Sequence, residues 1–184
     1  ELEGARGAVA YSVHDPANLD HEALLGVYAW ESIAAAGSLD KVQQRWAAQY
    51  FGRGAKRYIE SAETLREASQ NPALKLCLQY QYSYVRENLE HWPRRYPEEA
   101  LLALAELPKA EEQLQTVARL ASQAAEGFEA LLEDKEQLGY LHKNCLMSLL
   151  ADSVRAQCLA ECFIFLLELR RQLEKKSAGQ KEIE

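Results

Sequence analysis

CLAECFIFLLEL, residues 158–169, decides how this chain folds. Only Glu161 and Glu168 interrupt its apolar run. At 100° per residue Gln157, Glu161, Glu168 and Gln172 share a sector of about 60°, so a helix over 152–173 is expected to be wet on one narrow stripe. Other helices must then cover the rest, which makes this the central helix of an all-α bundle.

The same phase extends backwards through the chain. Alternate steps of 3 and 4 residues from Leu107 to Leu173 meet only Lys135, His142, Asp152 and Arg170 as polar interruptions. Such a stripe fits one long coiled-coil helix, or two helices whose phase carries through a connection. The polar run 133–137, with Gly139 beside it, is the expected reversal, because a final helix this apolar needs covering. Pro108 is expected to start a helix or kink one.

Upstream, residues 1–17 read as an irregular N-terminal arm, followed by a helix over 19–36 with Asn18 or Asp20 as its cap and Gly37 as its stop. Ser38 caps a second helix carrying Leu39, Val42, Trp46, Tyr50, Tyr58, Ile59, Ala62 and Leu65, with Gly52 and Gly54 placing a kink near 51–55. Asn71-Pro72 starts a third, running to about His91 and ended by Trp92-Pro93. Pro97, Glu98 and Glu99 open a fourth with acids at the positive end of its dipole. Ser177-Ala178-Gly179 ends the structure and leaves a polar tail over 177–184. The expected whole is an antiparallel helical bundle of four to six helices with long C-terminal helices, one domain over 18–176.

Composition narrows the function classes. The longest apolar run falls short of the ~20 residues of a membrane span, and no signal-peptide pattern is visible. Four cysteines are too few for a disulfide scaffold. Cys77, Cys158 and Cys162 sit on apolar helical stripes, which favours a reducing compartment and a soluble, cytoplasmic protein; the first residue is Glu1 rather than Met, which leaves room for a removed segment. The entire net charge of −7 lies in 97–137, where ten acids face three bases. That face repels phosphate, so nucleic acid is disfavoured as a partner.

Catalytic chemistry finds little support. There is no Gly-x-Ser-x-Gly, no phosphate-cradling glycine loop, and no motif pairing a cysteine with a histidine. His142, Cys145, Cys158 and Cys162 are zinc-ligand types, yet on one helix Cys145 and Cys158 are about 20 Å apart. Cys158 and Cys162, one turn apart, remain weak metal candidates, with core packing the better reading. Glu87-x-x-x-His91 does not supply a carboxylate-bridged metal site. No catalytic residue and no cofactor is assigned, and the reading leans away from an enzyme.

Two binding readings remain. In the first, the chain is a non-catalytic protein-protein interaction or scaffold module that presents an acidic helix face, with Glu98, Glu99, Glu111, Glu112, Glu126 and Glu129, or the aromatic face of 80–92 to a protein partner. Coiled-coil-like pairing into a homo-oligomer belongs with it, since the last helix offers more apolar surface than one chain can cover. The alternative is a ligand-binding or sensory bundle in which Trp46, Tyr50, Tyr80, Tyr84, Trp92 and the partly buried Glu161 line a pocket for a small apolar molecule.

Overall fold

Ser38 opens the first described helix as the sequence suggests, its hydroxyl accepting the Lys41 N–H at 3.4 Å. The computed structural model describes residues 38–87, 92–133 and 139–181; the arm over 1–17 and the helix expected over 19–36 lie outside them. Helix α1 (Leu39–Phe51) stops at Gly52, whose φ of 50° is left-handed backbone, and a 3-10 turn (Gly52–Gly54) leads into α2 (Ala55–Gln70). The kink expected near 51–55 is this turn.

Asn71 then caps α3 (Pro72–Glu87), its Oδ1 accepting the Ala73 N–H at 2.9 Å. Helices α4 (Trp92–Glu106), α5 (Ala110–Glu133) and α6 (Tyr140–Lys181) follow. Every described element is helical, and among the described residues no helix is long and apolar enough to cross a membrane.

Three boundaries differ from the sequence expectation. Trp92-Pro93 begins α4 instead of ending α3, because a proline in the first turn gives up an N–H that has no helical acceptor there. Pro97 lies inside the same helix, where it lacks the N–H that would reach back one turn. Ser177-Ala178-Gly179 does not stop α6, which continues to Lys181; a helical glycine costs about 1 kcal/mol against alanine and is not by itself a terminator. Gly139 is non-helical, so the long apolar stripe is carried by two helices and not by one rod.

The chain divides into two compact units, one of residues 1–63 and 124–152, the other of 64–123 and 153–184. In the second, Ala73, Leu74 and Cys77 of α3, Ala100 and Leu104 of α4, Ala110, Leu114, Val117 and Ala121 of α5, and Ala156, Ala160, Phe163 and Leu167 of α6 form one core. Alanine at so many of these positions lets backbones approach closely, and the larger Leu and Phe side chains fill the remaining volume.

Helix α5 buries the residues its periodicity selects. Helix α6 does not. Its buried line in this unit is Ser153, Ala156, Ala160, Phe163 and Leu167, while Phe165 is 65% exposed, Leu173 59%, Val154 44% and Leu169 41%, with Cys158 and Cys162 exposed beside them. The single wet stripe expected for this helix is therefore wrong, as is the core placement of Cys158 and Cys162. The residues covering α6 come from α3, α4 and α5 and reach one side of it.

In the first unit the core is aromatic. Phe51 stacks on Tyr58 (4.3 Å between ring centroids), Trp46 lies against Tyr50 and Tyr58 (5.2 and 5.4 Å), and Tyr58 reaches Phe128 (6.5 Å). Tyr58 and Phe128 are completely buried. Rings at these separations gain about 0.5–1.5 kcal/mol per pair beyond the burial of their area.

Candidate functional site

A concavity in the second unit forms where α4 ends and α5 begins. Pro108 cannot continue α4, and the chain turns through Lys109, whose φ of 55° is left-handed backbone unusual for a side chain of this kind. Local bonds hold the corner: Leu107 N–H to Leu104 O (3.1 Å), Ala110 N–H to Leu107 O (3.3 Å), and Gln113 Nε2 to Pro108 O (2.9 Å). A groove of about 590 Å³ opens beside it, within the size range of ligand sites.

Its floor is apolar, from Leu104, Leu107, Ala110 and Leu167, and its rim is charged. Lys109 Nζ pairs with Glu112 Oε2 at 3.1 Å, and Arg170 Nε with Glu174 Oε1 at 2.9 Å. Arg171 donates to Glu111 across the groove and to Glu168 Oε2 at 3.2 Å. Exposed ion pairs of this kind contribute little stability; what they do is limit where the carboxylates can be.

Two of the partner-binding candidates, Glu111 and Glu112, are thus brought together at one rim. Glu98 is exposed and Glu99 half-buried at the start of α4's described surface, and Glu126 and Glu129 are exposed on the part of α5 that belongs to the first unit. The sequence reading missed the floor and the basic rim. The signal was available in two charge doublets of opposite sign, Glu111-Glu112 and Arg170-Arg171, with a Leu-Pro-Lys corner beside the first.

The described pocket candidates are Trp46, Tyr50 and Glu161. Trp46 is buried among Tyr50, Phe51 and Tyr58, and Tyr50 stacks on His142 at 4.2 Å. The side chains of Tyr80, Tyr84 and Trp92 lie outside the described residues. Glu161 is exposed in the second unit, accepting Gln157 Nε2 at 2.9 Å, so it is not the partly buried acid the pocket reading required. Among the described residues no three of His, Cys, Asp and Glu gather to hold a metal. Burial pushes the Cys77 thiol up to about 12, with a smaller contribution from neighbouring Cys162, so it stays protonated and unreactive at neutral pH. No family model, characterised protein or solved structure matches the chain.

His142 gives a prediction here. Desolvation lowers its pKa below the usual histidine value, so below about pH 6.5 the unfolded chain binds this proton more readily than the folded one. Stability from this residue is therefore full above that pH and falls as the pH drops towards the lowered folded value. Urea midpoints are expected to decline between pH 7.5 and 5.5, and less so in His142→Phe, which keeps a ring against Tyr50. Equal slopes in the two proteins would show that His142 is not the group responsible.

Proposed function

We propose that the chain is a non-catalytic helical interaction module, and that the groove at the α4–α5 corner receives a segment of a protein partner. One observation carries this reading: Glu111 and Glu112, fixed by ion pairs, stand over an apolar floor. A partner segment that places an aliphatic or aromatic side chain on Leu104 and Leu167, and a lysine or arginine beside Glu112, matches both halves of the site.

On the same reading the described helices belong to an antiparallel bundle of four to six, acting as a scaffold in the cytoplasm. The aromatic pocket gains no support, since Trp46 and Tyr50 spend their faces on neighbouring rings.

Panning a displayed peptide library on the purified chain tests the proposal. Basic-apolar peptides are expected, and Glu112→Lys should weaken the best of them at least tenfold by fluorescence anisotropy, a change of about 1.4 kcal/mol. Glu112 is exposed, so the variant should keep its helical circular dichroism. Peptides that bind Glu112→Lys as well as they bind the parent would sink the groove as the site.

A further inference from the structure

The exposed face of α6 points to a second, separate contact. Val154, Cys158, Cys162, Phe165, Leu169 and Leu173 are all exposed and lie opposite the buried line through Ala160 and Phe163. Each of the first three has an apolar counterpart eleven residues on: Val154 with Phe165, Cys158 with Leu169, Cys162 with Leu173. An eleven-residue pattern repeats every 3.67 residues per turn, close to the helix's own 3.6, so the stripe runs nearly straight along α6 and can meet another helix over its full length with little supercoiling.

We propose that a second copy of this chain covers the stripe, with the two α6 helices parallel and in register. Area is the first argument. The exposed fractions leave roughly 450 Å² of apolar side chain per copy, so a pair removes about 900 Å² from water before the flanking stems are counted, approaching the ~1,200 Å² where specific interfaces begin. An area of this size fits a reversible dimer and not a permanent one.

Charge sets the direction. Glu161 and Glu168 lie along one edge of the stripe, and Arg155 and Leu166 along the other. Parallel helices bring unlike edges together, so the acids of one copy face the edge that carries Arg155 and Leu166. Antiparallel helices bring like edges together and would oppose acid to acid. Parallel register also sets Cys158, near the middle of the stripe, against Cys158 of the other copy.

Sedimentation velocity of the full chain under reducing conditions, up to about 100 µM, reads the result. A concentration-dependent dimer is expected, and Phe165→Glu or Leu173→Asp should make it monomeric with the helical signal unchanged. Copper-phenanthroline oxidation of the parent should trap a disulfide dimer that the double change Cys158→Ser with Cys162→Ser abolishes. A chain that stays monomeric overturns the proposal, and slow maleimide labelling of Cys158 in that monomer would mean that another part of the same chain covers the face. A dimer that survives both charge substitutions overturns it too, as does a trapped dimer that survives replacement of both Cys158 and Cys162 by serine. Glu112→Lys should leave the dimer intact, which separates this surface from the groove.

Discussion

Phe163→Ala is expected to lower the unfolding free energy by about 3–5 kcal/mol, and Phe165→Ala by less than about 0.5 kcal/mol, although the two phenylalanines stand two residues apart on one helix. Phe163 is 2% exposed and sits in the core with Leu74, Leu104, Leu114 and Val117. Truncating it loses the transfer free energy of the ring and leaves a cavity that close-packed neighbours cannot fully collapse. Phe165 is 65% exposed and leaves no cavity. Urea denaturation followed by circular dichroism measures both, at about 1 µM protein so that self-association does not contribute. Equal losses would mean that the buried face of α6 is assigned to the wrong side.

That pair of residues also shows how far the sequence could be read. The residues of α5 alternate small and large apolar side chains with acids and glutamines, so one face alone is apolar, and Ala110, Leu114, Val117, Ala121, Ala124, Phe128 and Leu131 are all buried. Helix α6 is apolar on two opposite faces, and residue type cannot decide which of them the neighbours cover. Alternate steps of 3 and 4 happened to select Ala156 and Phe163 correctly, but they placed Leu159 and Leu166 on the same line, where Ala160 and Leu167 are the buried residues. Covering is a property of the other helices.

Local signals did better where a backbone constraint has few solutions. Ser38, Gly52 and Asn71-Pro72 each have a direct mechanical consequence, and each marks an observed boundary. Trp92-Pro93 has two consequences, ending one helix or beginning the next, and the sequence does not choose between them. The groove was half legible: its acids stood out as charge excess, while its floor and basic rim depend on the approach of α6 to the α4–α5 corner within the second unit.

Gly127→Val is expected to cost about 3 kcal/mol or more, and Gly127→Ala about 1–2 kcal/mol, even though alanine is the better helix former by about 1 kcal/mol. Gly127 lies inside α5, where α2 crosses it in the first unit. A Cβ there would overlap Ser61 Oγ, stand 3.1 Å from Ser61 Cβ and 3.9 Å from Arg57 Cγ. The hydroxyl can rotate away, but the Cβ of Ser61 is fixed to its own helix and is buried, so the helices must separate or the backbone must shift. Valine adds two methyl groups to the same space. The cause can be separated from any general effect of altering α5 by a double-mutant cycle with Ser61→Gly, which removes the obstructing atoms. Ser61→Gly alone should destabilise by about the helix propensity of glycine, yet in the Gly127→Ala background it should recover stability, a coupling of about 1–2 kcal/mol in urea denaturation. Additive losses would show that the close approach of α2 and α5 at this point does not limit side-chain size, and that Gly127 is tolerated there and not required.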